Sequence, residues 1–127
     1  MGINVVLEFV PVVADRTTAG DFDTALVFWP GRSDPDYNLY RFLATSGNAN
    51  VGGYSNPRLD LILENGRKAL TTKARKTLYH VAQQIVLDDR PMIFLYHPTK
   101  YIGVSTQVAG VQIGQDSAVH VAFAQFR

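Results

Sequence analysis

The fold is decided by the stretch Asn56–Pro91, NPRLDLILENGRKALTTKARKTLYHVAQQIVLDDRP, which predicts two successive helices. Asn56 is a typical N-cap residue, and Pro57 suits the first helical position because its missing N–H costs no hydrogen bond there. The apolar residues that follow recur at helical spacing and predict an inward face made of Leu59, Ile62, Leu63, Gly66 and Leu70.

The second helix is predicted from about Lys73 to Asp89, because Thr71-Thr72 restart the chain and Pro91 stops it. Its charges run against the helix dipole, with basic residues at the positive amino end and Asp88-Asp89 at the negative carboxyl end. We therefore expect tertiary packing, helped by charges elsewhere, to stabilise it. The predicted inward face consists of Ala74, Leu78, Val81, Ala82, Ile85 and Val86.

Around this helical pair, runs rich in β-branched and aromatic residues predict strands. A short helix is predicted within residues 11–20 and another over residues 37–45. This order of elements predicts an α/β or α+β fold, with one mixed sheet and packed helices. The five predicted strands are Ile3–Val10, Phe22–Trp29, Met92–Tyr96, Tyr101–Ser105 and Val119–Phe126.

The composition is that of one ordinary globular domain or a piece of a larger protein, with 127 residues of which 46% are hydrophobic. Twelve basic and 11 acidic residues give no electrostatic footprint for nucleic acid or for an anionic membrane. The absence of cysteine excludes disulfides, thiolate metal sites and a cysteine nucleophile. The longest apolar stretch, residues 3–14, is too short and too polar to span a bilayer. It is not expected to be a signal peptide, because no Lys or Arg precedes it and no small-residue cleavage site follows it.

No motif of the chain carries a complete enzymatic or metal-binding signature. The segment Asp34–Asn38 resembles the opening of a calcium loop but lacks its glycine and its closing glutamate, so a proline-fixed turn is favoured. His80, His97 and His120 lack zinc spacing, and no nucleophile elbow or phosphate-binding glycine loop is present. We expect a protein that is not an enzyme and has no cofactor or metal.

Trp29 is the one residue that suggests a site. It is the only tryptophan, and it ends an apolar run at the point where Pro30-Gly31 open a charged loop. Ligands of open α/β sheets bind at the carboxyl ends of strands. Trp29 therefore either plugs the end of a core or lines a binding site, and the residues alone leave both alternatives open.

The whole pattern resembles the extracytoplasmic solute-binding proteins of family 5, the peptide-, dipeptide- and nickel-type receptors of ABC importers. The resemblance runs over essentially the whole chain. It rests on an ordered set of short elements, namely Gly20-Asp21-Phe22-Asp23, a strand ending in Trp29, Asp34-Pro35, Asn50, Tyr54-Ser55-Asn56-Pro57, Asp60, Arg75, Leu78-Tyr79, Asp88-Asp89-Arg90-Pro91 and Ile93-Phe94-Leu95-Tyr96.

This resemblance implies a fragment of a two-lobed fold of type II that closes on a ligand. Residues 1–90 would form the later part of the second, C-terminal lobe, and residues 91–127 would return toward the first lobe. The implied role is to bind a peptide or similar small solute in the periplasm or elsewhere outside the cytoplasm, and to deliver it to ABC permease subunits. It implies no nucleic-acid partner and no direct insertion into the membrane.

The resemblance also implies which residues meet the ligand. Trp29 matches a pocket-lining tryptophan of the peptide-binding members, but Arg32 stands where those members have an aspartate for the peptide amine. A guanidinium suits a carboxylate or a phosphate instead, so we expect a ligand with an anionic group near Arg32 or one whose amine is met elsewhere. The alternative to a ligand role is an Arg32 that faces solvent or forms a structural ion pair with Asp34 or Asp36. The candidate ligand-binding residues are Trp29, Gly31, Arg32, Ser33, Asp34 and Tyr54.

Two rival functions remain at this stage. One is a small stand-alone interaction domain, and the other is a hydrolase that uses a histidine and a carboxylate. A piece of a two-lobed protein is expected to expose apolar surface and to self-associate, through Met92–Tyr96 and Val119–Phe126. A well-behaved monomer would instead favour the stand-alone domain.

Overall fold

The computed structural model describes residues 2, 4–29, 31–99, 101–114 and 118–127. Ile3 and Pro30, which the sequence analysis placed in a strand and a loop, lie outside this part of the chain. The elements that the structure shows are α1 (Val13–Ala19), α2 (Pro35–Leu43), α3 (Pro57–Lys68), α4 (Thr72–Asp89), β1 (Val108–Ala109), β2 (Gln112–Ile113), β3 (Val119–His120) and β4 (Gln125–Phe126).

The long helices begin where their capping residues predicted. The Asn56 side chain accepts hydrogen bonds from the backbone N–H groups of Arg58 and Leu59, and Pro57 occupies the first helical position. Thr71 caps α4 by accepting from the N–H of Ala74. Each cap satisfies N–H groups that the first helical turn leaves without a partner. Both predicted helices are confirmed.

The two shorter helices are also present. Helix α1 ends at Gly20, whose φ of 73° is left-handed and therefore favours glycine. Helix α2 begins at Pro35, two residues earlier than predicted, because the Asp34 side chain accepts from the N–H of Asp36 and caps it. The turn predicted at Asp34 is thus the cap of a helix.

The core lies between α2, α3 and α4. Each of its fully buried leucines contributes about 1.5–3 kcal/mol through the hydrophobic effect. Tyr79, which was not predicted to be buried, lies in this core, whereas Leu70 is fully exposed because α3 ends before it. The buried apolar residues are Leu43, Ala44, Leu59, Leu63, Tyr79, Ala82, Ile85 and Val86.

The strands of the carboxyl-terminal part form two short antiparallel ladders. Strand β1 pairs with β4, with Val108 opposite Phe126, and β2 pairs with β3, with Gln112 opposite His120. Gly110 lies between β1 and β2 with a φ of 79°, and a Cβ there would come within 1.9 Å of the Phe123 carbonyl oxygen. Only glycine fits at this position.

The prediction of a mixture of helices and strands is confirmed, but the prediction of one mixed sheet is wrong for the described residues. Both ladders are antiparallel, and residues 4–10, 22–29, 92–96 and 101–105 form no ladder. Apolar side chains of these segments face solvent instead; Phe9 is 94% exposed and Ile93 is 83% exposed. A strand needs a hydrogen-bonding partner, which an apolar run does not itself supply.

No helix in the described part of the chain combines the length and the apolar character needed to cross a bilayer.

Candidate functional site

The site is built on one face of α2. The Trp29 ring stacks on Tyr37 with a centroid distance of 5.9 Å and an interplanar angle of 18°. It also meets Phe42 edge-on, with centroids 4.8 Å apart and planes at 71°. Both arrangements are favourable geometries for aromatic pairs. Trp29 is half-buried and lies outside the buried core of α2, α3 and α4, so it does not plug that core.

Asn38 fastens the loop that carries Trp29 to α2. Its Oδ1 accepts hydrogen bonds from the indole N–H of Trp29, at 3.2 Å, and from the backbone N–H of Arg32, at 2.8 Å. Its Nδ2 donates to the Arg32 carbonyl oxygen at 2.6 Å. One amide therefore fixes both the indole and the backbone from which the Arg32 side chain leaves.

Two guanidinium groups lie against these rings. The Arg41 Cζ is 5.1 Å from the Trp29 centroid, 5.8 Å from that of Tyr37 and 5.7 Å from that of Phe42. The Arg32 Cζ is 5.7 Å from the Tyr37 centroid. These are cation–π distances, at which the electron-rich ring face attracts the cation. We call Trp29, Arg32, Tyr37, Asn38, Arg41 and Phe42 the Trp29 cluster.

The acidic residues beside the loop are engaged elsewhere. Asp34 pairs with Arg75 of α4 at 2.9 Å while capping α2. Asp36 accepts from the Tyr79 hydroxyl at 3.2 Å and lies 3.4 Å from the Arg67 Nε. Within the described chain, neither acid pairs with Arg32, so the structural ion pair is not formed, and Arg32 is exposed to solvent.

The other candidate residues are divided between the loop and a separate group. Gly31 has a φ of 75° and open space at its Cβ position, and Ser33 is exposed, so both belong to the loop beside Trp29. Tyr54 instead packs against the helical core, and its hydroxyl donates to Asp89 at the end of α4. Burial, followed by the hydrogen bond to Asp89, raises the pKa of Tyr54 to about 12. Tyr54 is therefore a protonated link between the start of α3 and the end of α4.

The described residues hold no group of three or more side chains suited to a metal ion. The carboxylate of Asp34, the first residue of the calcium-like segment, already caps α2 and pairs with Arg75. His80 is exposed on α4.

Two shallow cavities lie away from the Trp29 cluster. One, of about 250 Å³, is lined by Tyr40, Thr45, Ser46, Asp60 and Glu64, and the other, of about 420 Å³, by Thr71, Lys73, Ala74, Thr77 and Leu78. The cluster lines neither of them.

The sequence analysis missed Asn38 and Arg41. Their signal was nevertheless present, because Tyr37 and Arg41 are four residues apart, as are Asn38 and Phe42, and such residues share a helix face. The prediction of a helix over residues 37–45 considered only its apolar face and not the second face, which carries Asn38 and Arg41. An aromatic and polar face beside an isolated tryptophan was the pattern to look for.

Comparison with known proteins supplies the context for this geometry. The probable di/tripeptide-binding protein 5 of Pseudomonas aeruginosa is 28% identical over 102 residues, which cover 77% of this chain and 19% of that protein. The probable D,D-dipeptide-binding periplasmic protein DdpA of Escherichia coli is 29% identical over 117 residues, covering 87% and 22%. Heme-binding protein A of Haemophilus influenzae is 30% identical over 98 residues, covering 75% and 18%.

No family model matches the chain, and no solved structure does. The chain spans about a fifth of the length of the curated relatives it matches. Several of these relatives are family 5 proteins that bind peptides or dipeptides in the periplasm. The resemblance predicted from the sequence is therefore confirmed: the chain is similar, over most of its length, to the peptide- and dipeptide-binding periplasmic proteins of solute-binding family 5.

Proposed function

We propose that this chain is part of the solute-binding component of an ABC importer. The component binds a peptide or similar small solute between two lobes, outside the cytoplasm, and delivers it to permease subunits. Residues 1–90 belong to the second lobe and residues 91–127 return toward the first. The observation that carries the proposal is the similarity of most of the chain to several proteins named for peptide binding.

The Trp29 cluster supports this role. Trp29 is half-buried and rests on rings of α2, so its position is fixed while part of its surface faces outward. A pre-positioned aromatic surface binds a solute without the entropic cost of ordering a side chain. Trp29 supplies apolar surface and stacking, and Gly31, Arg32, Ser33 and Asp34 form the loop beside the ligand. The role is one of binding, without catalysis.

The exposed segments also fit a site completed by a second lobe. Residues 4–10, 26–28 and 92–96 carry exposed apolar side chains and belong to no helix or ladder. Exposed apolar patches of this kind mark surfaces that another polypeptide covers. A stand-alone binding domain is the alternative. The buried helical core favours a stand-alone domain, whereas the exposed apolar segments argue against it.

The test is calorimetric titration of the protein encoded by the full reading frame with a panel of dipeptides and tripeptides. We expect at least one to bind, and W29L to weaken that binding by about tenfold or more, because it removes the stacking surface. Y101L is the control, since it removes an exposed aromatic ring outside the cluster. Binding that W29L leaves unchanged, or the absence of binding by every peptide, would contradict the proposal.

A further inference from the structure

The Trp29 cluster has an uncompensated positive charge. Arg16, Arg67 and Arg75 each form an ion pair with a carboxylate, whereas within the described chain Arg32 and Arg41 form none. The two acids nearest in sequence, Asp34 and Asp36, are paired with other arginines. Two cations thus lie beside one aromatic ring, that of Tyr37, at 5.7 and 5.8 Å from its centroid. A like-charged pair of this kind attracts an anion.

The hydrogen-bonding capacity of these groups is also unused. A guanidinium has five N–H donors, and stacking on a ring face leaves the donors at its edge available. Arg41 donates to the Tyr37 hydroxyl at 3.2 Å, but its buried Nε has no hydrogen-bond partner among the described residues. Because this Nε is closed to solvent, a solute would meet the terminal N–H groups of Arg41 and not this atom. For Arg32, the structure gives hydrogen bonds only to its backbone, from Asn38.

We propose that the Trp29 cluster binds the carboxylate of the solute, with Arg32 and Arg41 as its two cationic partners. The apolar part of the solute then lies against Trp29. This inference rests on the proposed function and narrows it to solutes that carry a free carboxylate, such as the C-terminus of a short peptide. An ammonium group is disfavoured in the cluster, because both neighbouring carboxylates are already paired. Arg41, which the sequence analysis did not select, becomes a specificity-determining residue.

The test is calorimetric titration of the full protein with four small probes. The probes are alanyl-alanine, its C-terminal amide, N-acetylalanine and inorganic phosphate. We expect alanyl-alanine and N-acetylalanine to bind and the amide to bind at least tenfold more weakly than alanyl-alanine. R32Q and R41Q should each weaken carboxylate binding by about ten- to hundredfold, since each removes charge-assisted hydrogen bonds.

R58Q is the matched control, because Arg58 is exposed on α3 and the structure gives its side chain no ion pair or ring contact. It should leave all affinities unchanged. If circular dichroism shows that R41Q does not fold, R41K is used instead. Lysine keeps the charge but lacks the planar guanidinium fork, so R41K should bind the carboxylate with intermediate affinity.

The outcomes separate this inference from the proposed function. Equal affinity for alanyl-alanine and its amide would overturn the carboxylate site while supporting peptide binding. Binding of N-acetylalanine, lost in R32Q and R41Q, without binding of any peptide would support the site and contradict the peptide proposal. Tighter binding of phosphate than of either carboxylate would overturn the choice of carboxylate. Absence of binding by every probe would overturn the carboxylate site, whereas the peptide proposal is tested by the wider panel of dipeptides and tripeptides.

Discussion

At the scale of single residues, the geometry of the site depends on Asn38 more than on any residue of the loop itself. An amide offers both an acceptor and a donor, so Asn38 can satisfy the Trp29 indole and both backbone groups of Arg32 together. An aspartate there would lack the donor for the Arg32 carbonyl oxygen. Asn38 is a positioning residue, since it holds the groups that would touch the solute.

We expect N38A to lower the free energy of unfolding by about 1–2 kcal/mol, because it removes these hydrogen bonds and leaves their partners partly buried. The Trp29 emission should shift to the red as the indole becomes more solvated. Denaturant unfolding monitored by fluorescence measures both effects. N65A is the matched control, since Asn65 is exposed on α3 and its side chain makes no hydrogen bond that the structure gives. Equal stability of the two variants would show that Asn38 does not hold the loop.

The link between Tyr54 and Asp89 gives a residue-scale dependence on pH. Two hydrogen bonds hold the pKa of Asp89 below its ordinary value of 3.8. The one donated by Tyr54 has the larger effect, and the one donated by Asn56 the smaller. A carboxyl whose pKa is lower in the folded state stabilises the fold above its unfolded pKa, and loses this effect as the pH falls through the folded pKa.

We therefore expect the free energy of unfolding to fall less steeply in D89N than in the wild type between about pH 5 and pH 2. Denaturant titrations across that range measure the slopes. D88N removes a carboxylate from the same helix end without touching Tyr54 or Asn56, because Asp88 accepts from Gln84. D88N should keep the wild-type slope. The prediction is wrong if D89N and the wild type lose stability in parallel.

At the scale of elements, α4 shows how packing compensates an unfavourable helix. Its amino end carries basic residues that the dipole disfavours. One of them, Arg75, forms an ion pair with Asp34, the residue that caps α2. The Arg75 Cζ also lies 5.4 Å from the ring centroid of Tyr79. The ion pair connects α4 to the start of α2. Asp89 at the other end is used in the same way, since Tyr54 and Asn56 donate to it. Arg75 and Asp89, two of the charges that oppose the dipole, therefore join α4 to the residues at the starts of α2 and α3.

The end of α2 depends on Gly47. A Cβ at this position would lie 2.5 Å from the Arg41 carbonyl oxygen and 2.6 Å from that of Tyr40, both of them backbone atoms that cannot rotate away. We expect G47A to destabilise the protein by about 1–3 kcal/mol, because the backbone must shift to relieve the overlap. Thermal or denaturant unfolding measures this loss.

G52A is the control, since nothing lies within 4 Å of its added Cβ. If G47A were as stable as G52A, the turn after α2 would be more adaptable than its geometry indicates.

At the scale of the whole molecule, the described residues form a buried helical core and several apolar segments that belong to no helix or ladder. The core buries its leucines fully, whereas Val6, Phe9 and Ile93 are largely exposed. Extended apolar backbone with unpaired hydrogen-bonding groups is a template for pairing with another chain. The same segments that would complete the proposed two-lobed protein are therefore expected to make the 127 residues associate when they are produced alone.

We expect this chain to sediment as dimers or larger species at micromolar concentration. The double variant I93K/L95K should shift it toward monomer, because charges on an edge oppose strand pairing. L70K is the control, since Leu70 is fully exposed but follows α3 rather than an extended segment. Sedimentation velocity distinguishes the species. A stable wild-type monomer would instead support the stand-alone domain.

What the sequence by itself determined was the helical half of the protein. Asn56 and Pro57 begin α3, Thr71 begins α4, and Gly20 ends α1, because capping, proline geometry and left-handed glycine act within a few residues of chain. The resemblance to solute-binding proteins was also readable, since it needs only the order of residues.

The tertiary structure alone decided which groups meet. The spacing of residues 37–42 could indicate a shared helix face, but the contact of that face with Trp29 could not be predicted, because Asn38 and Arg41 reach the indole only once α2 folds back against the loop. The ion pair of Asp34 with Arg75 joins residues 41 positions apart, and no local sequence pattern predicts it. The apolar runs predicted strands, but a ladder also requires a second segment at hydrogen-bonding distance. Whether such a segment is present depends on the tertiary structure and not on the run itself.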